Sequence, residues 1–319
     1  FWWRYFMTTE LIFTLVIVLG IATLIDKIYA KVQIDNYSPL WEYFCKALLY
    51  GVISIFTLYY GKETFSDVSP LEWAIIAVSI IEGTGNYINY VKESKKRKGG
   101  KGMKILKISP HIYKVEAWLF MKVSAWIVTV DDGVYIIDTG MSFMGKRILN
   151  EAEKLGTLKG ILLTHGHSDH VGGLKKILEI KKVPVFAHEA DIPYMEGKEP
   201  FPGRKKVEFL VKPGLVQPLK MTNGNLDNMA ALIPIHTPGH SPGHVVYYHK
   251  EDRVLIGGDL FTSKNGQLQK PMAMFTSDME EAIKSGRRVI EEMKPDIVSI
   301  CHGNDVKEPH KQIENYLVN

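Results

Sequence analysis

The stretch Gly160-Ile161-Leu162-Leu163-Thr164-His165-Gly166-His167-Ser168-Asp169-His170 decides how the rest of the chain is read. Its first five residues form an apolar run that reads as a buried strand. That strand delivers three imidazoles and a carboxylate within six residues. Neutral imidazole is the common ligand for zinc and its neighbours, and a carboxylate compensates charge. If the backbone stays extended into the turn, His165 and His167 point the same way and can grip one ion. Asp169 and His170 lie past the turn, where they can face a second. A polar turn with incidental histidines is a poor account of four potential ligands so close together.

Three further strand ends carry the same kind of residue. His240 lies in Thr237-Pro238-Gly239-His240-Ser241-Pro242-Gly243-His244, Asp259 follows Val254-Leu255-Ile256-Gly257-Gly258, and His302 follows Ile297-Val298-Ser299-Ile300-Cys301. In order and approximate spacing these motifs resemble the ligand set of the metallo-β-lactamase superfamily. The resemblance covers roughly Met103 to Asn319. It implies that His165, His167 and His240 hold one ion, that Asp169, His170 and His302 hold another, and that Asp259 bridges the two. Asp138, ending Val134-Tyr135-Ile136-Ile137-Asp138, resembles the family's early aspartate. It is expected to orient a ligand from behind rather than bind metal, because ligating histidines need such a partner.

Two divalent ions sharing a water lower its pKa and give hydroxide at neutral pH. They also stabilise the charge that develops on a substrate oxygen. Asp169 is the expected catalytic carboxylate, orienting the nucleophile. Zinc is the expected metal, with iron or manganese as alternatives. Departures from subfamilies narrow the substrate. His170 stands where one large group of true β-lactamases has arginine, and Asp259 where those enzymes carry cysteine or serine, so antibiotic cleavage is disfavoured. His167 is not the glutamate of the di-iron flavoprotein relatives. Seventeen residues follow His302, so the glutathione-binding extension of glyoxalase II enzymes is not expected. Some lactonases place a tyrosine where this chain has Thr262. The expectation is a hydrolase of a small ester, thioester, lactone or phosphoester. Two alternatives stand beside it: an iron-dependent oxidoreductase of the same fold, similar to persulfide dioxygenases, and a non-catalytic metal-binding membrane sensor.

Other candidates are weaker. His244 follows His240 by four residues and suits either support of the site or a turn. His188, in Phe186-Ala187-His188-Glu189-Ala190-Asp191, and Tyr194, in the middle segment that follows, are candidate substrate contacts. Cys45 and Cys301 make a poor disulfide pair, as expected of a reducing compartment. Cys301 reads as a strand-core residue beside the His302 position.

The first ninety residues are different material. Three apolar runs, Leu11 to Ile25, Tyr43 to Tyr60 and Leu71 to Tyr90, approach the roughly 20 residues that a bilayer core demands. The aromatic cluster Phe1-Trp2-Trp3-Arg4-Tyr5-Phe6 suits a membrane interface. Glu82 lies well inside the third run, where an ionisable group is costly. A small soluble helical domain is the competing reading. Seven of the thirteen residues from Lys92 to Lys104 are lysine or arginine. The positive-inside rule therefore puts this linker, and the domain after it, in the cytoplasm. Anionic headgroups are an expected contact. A specific nucleic-acid partner is not, since this one linker accounts for much of the net charge of +4. The expected layout is an all-α membrane region over 1–91, a basic cytoplasmic linker over 92–104 and the hydrolase domain over 103–319, in a multi-pass protein of the cell membrane.

From Met103 the pattern becomes α/β. Short apolar runs rich in β-branched residues are expected as strands at 112–115, 125–130, 134–137, 161–164, 183–187, 231–235, 245–248, 254–256 and 297–301. Helices are expected at 146–155, 173–182 and 278–293. Strands interleaved with a few helices suggest two packed sheets with helices outside. That is the four-layer αββα sandwich the resemblance implies, with the metal site along one edge of the sheet pair.

Overall fold

The computed structural model describes residues 77–78, 80–89, 102–118 and 121–318. The chain divides into two units, Phe1–Lys95 and Lys96–Asn319. In the first, residues 80–89 are helical and expose Ile80, Ile81, Tyr87 and Ile88. The apolar runs at 11–25 and 43–60 lie outside the described residues, as do most of the basic linker and part of the third run. Among the described residues no helix is long and apolar enough to cross a membrane.

The second unit is built on two sheets. The first contains β1 (Lys104–Lys107), β2 (Ile112–Trp118), β3 (Lys122–Val130), β4 (Gly133–Ile137), β5 (Leu158–Leu162), β6 (Val185–Ala187) and β7 (Gln217–Pro218), in that spatial order. Strands β1 to β4 pair antiparallel, and β4 to β7 pair parallel. A small hairpin of β8 (Met221–Thr222) and β9 (Asn225–Leu226) follows. The second sheet runs β10 (Leu232–His236), β11 (Val245–His249), β12 (Val254–Gly258), β15 (Ile297–Ile300), β16 (Val306–Lys307). The hairpin β13 (Thr262–Lys264) and β14 (Gln267–Gln269) branches off between β12 and β15.

The near-continuous apolar character of β4, β5 and β12 follows from burial on both faces. Trp126, Val245, Tyr247, Val254, Ile256 and Cys301 belong to one buried cluster, so the inner faces of the two sheets share a core. Several bonds cross it. Trp126 Nε1 donates to Ser299 Oγ (2.8 Å), Ser124 Oγ to the Cys301 carbonyl (3.1 Å), and the Tyr247 hydroxyl to the Leu163 carbonyl (2.9 Å).

Helices cover the outer faces. α1 (Gly145–Leu155) turns Ile148, Leu149 and Ala152 inward, and α3 (Leu174–Ile180) follows the single turn α2 (Ser168–Val171). The short α4 (Ile192–Met195) lies beyond β6. α5 (Met279–Met293) opens on Asp278, whose side chain accepts from Glu281 N, with Glu280 and Glu281 in the positive first turn. It buries Ala282, Ser285, Gly286, Val289 and Ile290, the spacing of one helical face. This face packs with Val246, Leu255 and Val298 in a second cluster on the far side of sheet two. Gly286 is required there, because a Cβ would sit 2.5 Å from the hydroxyl of Tyr316 on α6 (Ile313–Val318). Helix, sheet, sheet, helix is therefore the order of layers, as expected.

Candidate metal centre

Every ligand candidate follows the C-terminal end of a strand, so strand direction gathers them at one edge of the sandwich. His165 and His167 follow β5, and His167 stays extended (φ −70°, ψ 154°) before α2 begins. Asp169 and His170 ride on α2. His240 lies between β10 and β11, Asp259 follows β12, and His302 follows β15. The sheets are stitched at this edge by Val245 N donating to the Thr164 carbonyl (2.7 Å).

The side chains converge as two clusters. In the first, His167 Nδ1 lies 2.9 Å from His165 Nε2 and 3.1 Å from His240 Nε2. In the second, His302 Nε2 lies 3.1 Å from both Asp169 Oδ2 and Asp259 Oδ2, and His170 Nε2 lies 3.2 Å from Asp259 Oδ1. Asp259 links them, with Oδ2 3.6 Å from His240 Nε2. His170 Nε2 and Asp259 Oδ1 are buried without a hydrogen-bond partner of normal geometry. Buried polar atoms are rarely left this way, and a cation in the second cluster would satisfy both. The donor set of imidazoles and carboxylates suits zinc and similar divalent ions.

The charges differ between the halves. Burial, reinforced by neighbouring imidazoles, holds His165 and His167 well below the ordinary histidine range. Burial likewise brings His240 down to about 4. These three rings are therefore neutral and have lone pairs to give. Burial would raise Asp169, but His170 and His302 outweigh it and bring the carboxyl down to about 2. Burial also opposes ionisation of Asp259, and the same two imidazoles hold it well below the carboxylate range.

Behind the candidate ligands, several side chains are oriented by a second contact. Asp138, fully buried, faces His170 Nδ1 with Oδ2 (2.7 Å) and accepts from Thr164 N (2.8 Å) and Thr164 Oγ1 (2.7 Å). His302 Nδ1 donates to the Lys122 carbonyl (2.6 Å), and His240 Nδ1 lies 3.2 Å from Thr276 Oγ1. His244 points Nδ1 at Thr237 Oγ1 (2.9 Å) and accepts from Asp259 N at Nε2 (3.2 Å). It thus fixes the backbone of the shared carboxylate. Gly258 makes this approach possible. Its φ is +53°, and a Cβ there would lie 2.8 Å from His244 Nε2.

His188 is buried and stacks on His236, ring centroids 3.9 Å apart. Tyr194 stacks on Phe201 (5.0 Å), whose ring meets His167 edge-on (4.8 Å). Cys301 Sγ lies in the second cluster, but Ser124 already engages it through N (3.3 Å) and O (3.6 Å). One residue that sequence reasoning passed over is Asp191. Its buried carboxylate accepts from Gly166 N, Ser241 Oγ and Gly243 N. No local motif announces it, because its partners are 25 to 52 residues away.

Comparison with known proteins agrees with this geometry. The family model described as the metallo-beta-lactamase superfamily matches residues 119–302. A probable metallo-hydrolase of Bacillus subtilis (strain 168), YybB, is 39% identical over 68% of this chain and 98% of its own length. A hydroxyacylglutathione hydrolase of Shewanella halifaxensis is 31% identical over 141 residues, 43% of this chain and 46% of its own length. The crystal structure of a metallo-beta-lactamase from Erythrobacter litoralis shares the fold (TM-score 0.56, 14% identity, 67% of this chain and 95% of that one). The chain belongs to the metallo-beta-lactamase superfamily, as one of its metal-dependent hydrolases.

Proposed function

We propose that this chain is a membrane-anchored, binuclear hydrolase of a small ester, thioester, lactone or phosphoester, with zinc as its metal. The observation that carries the reading is the meeting of seven donor side chains in two clusters that share Asp259. His165, His167 and His240 would hold one ion and Asp169, His170 and His302 the other, with Asp259 between them. Two such ions would lower the pKa of a shared water toward neutrality and polarise the scissile group.

The chain's own residues do the rest. Asp138, Lys122 and Thr276 hold the rings of His170, His302 and His240 in place and His244 holds the Asp259 backbone, so little reorganisation accompanies reaction. Asp169 is the carboxylate that solvent reaches, its side chain 28% exposed against 5% for Asp259. With a pKa of about 2 it stays ionised at neutral pH, which suits orienting a nucleophile rather than storing its proton. Phe201 and Tyr194 form an apolar and aromatic wall beside His167. The thioester class is supported by the name of the Shewanella relative. Membrane anchoring is supported by the three apolar runs and by the exposed apolar side chains of helix 80–89, Ile81 at 68% and Tyr87 at 58%.

Parallel turnover of ester, thioester, lactone and phosphodiester reporters by the purified chain tests the reaction class. Hydrolysis of at least one, abolished by a chelator, is expected. Inactivity on all four with metal loaded would refute it. Carbonate washing of membranes from cells making the chain tests the anchor: retention in the pellet is expected, release refutes it.

A further inference from the structure

Asp191 closes the short 3₁₀ turn Glu189–Asp191 after β6, and its side chain is fully buried. Oδ2 accepts from Gly166 N (2.9 Å) and Ser241 Oγ (2.8 Å), and Oδ1 from Gly243 N (2.6 Å). Gly166 sits between His165 and His167, and Ser241 and Gly243 follow His240. One carboxylate therefore ties together the two chain segments that carry the trihistidine cluster. None of these bonds is made to Asp169, His170, Asp259 or His302 themselves.

We propose that Asp191 is a positioning residue for the trihistidine half of the metal centre, holding the gap between the His165–His167 turn and His240 at the width of one ion. The proposal rests on the metal-centre reading above. A carboxylate is the side chain this place demands, since three donors approach two acceptor atoms from two segments. Gly243 makes the approach possible: a Cβ there would lie 2.7 Å from Asp191 N. Asparagine has the same shape but only one acceptor, so its amide group would meet a donor where Oδ1 or Oδ2 now accepts. Three neutral imidazoles bring no charge to a dication, and Asp191 adds a negative charge to the one shared through Asp259.

The test is titration of the metal-free chain with Co(II), followed by visible absorption and by metal counting, for the wild type, D191N, S241A, H240A and H302A. Removing the contacts that orient ligands typically lowers metal affinity by roughly 10–100-fold. D191N is expected to show that loss in the binding step that H240A abolishes, with the step that H302A abolishes unchanged. S241A, which removes one of the three donors, is expected to show a smaller loss in the same step. Unchanged binding in D191N, an equal loss in both steps, or a loss confined to the step that H302A removes would overturn the proposal. Should thermal melting show D191N unfolded, S241A decides, and an unaltered first step in that variant overturns it. A wild-type chain that takes up no Co(II) would overturn the metal-centre reading itself and this proposal with it.

Discussion

Asp138→Asn is the most demanding perturbation of the site, because it changes a proton rather than a shape. Asp138 has φ +56°, a conformation that asparagine adopts readily, so the backbone gains no strain. Oδ1 can still accept from Thr164 N, 2.8 Å away. The amide nitrogen then replaces Oδ2, which now faces His170 Nδ1 at 2.7 Å. Two N–H groups cannot face each other, so His170 moves its proton from Nδ1 to Nε2. Nε2 is the atom that faces Asp259 Oδ1 at 3.2 Å, and it loses the lone pair a metal needs. Disturbing such a partner lowers metal affinity roughly 10–100-fold, about 1.4–2.8 kcal/mol. Loss of a buried charge-assisted hydrogen bond should also destabilise the metal-free fold by about 1.5–3 kcal/mol. Competition of each variant with a chelating dye for Zn(II), alongside urea unfolding of the metal-free protein, measures both. D138N binding both ions as tightly as the wild type would refute the tautomer argument.

Other perturbations follow from single contacts. Tyr247→Phe removes the only described hydrogen bond to the Leu163 carbonyl, and should cost about 1–3 kcal/mol in urea unfolding while leaving metal stoichiometry intact. Gly258→Ala puts a Cβ 2.8 Å from His244 Nε2 at φ +53°, so it should lower both stability and turnover; wild-type values for both would show that the Asp259 approach is not tight. His111, on the turn before β2, pairs with Asp252 (2.7 Å), whose hydrogen bond raises its pKa above the ordinary 6.5. The stability this gives is fully present below pH 6.5 and is lost as pH rises through the folded value. The wild-type advantage in melting temperature over His111→Gln should thus shrink from pH 5.5 to pH 9, and a constant difference would contradict the pairing.

Much of this architecture is legible residue by residue. Periodicity places β4, β11 and β12 within a residue or two, because strands buried on both faces read as unbroken apolar runs. Asp278 announces α5, since a cap needs only its own helix. The clustering of the candidate ligands was legible because they follow strand ends directly or, for Asp169 and His170, within one helical turn, and parallel strands bring their C-terminal ends to one edge. What was hidden depends on distant partners. β1 begins at the last residue of the expected linker and was not expected as a strand: Lys104, Ile105, Leu106 and Lys107 carry little burial, and pairing with β2 makes them one. Strands β7 to β9 are two residues long, too short for any period. Lys114 lies buried in β2 because Asp305, 191 residues away, accepts a hydrogen bond from its Nζ at 2.8 Å. Asp191 was passed over for the same reason.

The central claim is that seven side chains form one two-ion centre that hydrolyses substrate. It is tested most directly by counting metal in the purified chain while turnover of a responsive reporter is followed during stepwise metal restoration. The account predicts turnover that reaches its plateau at about two divalent ions per chain and disappears on chelation. A chain that is fully active with no metal, or that binds none at neutral pH, would contradict it.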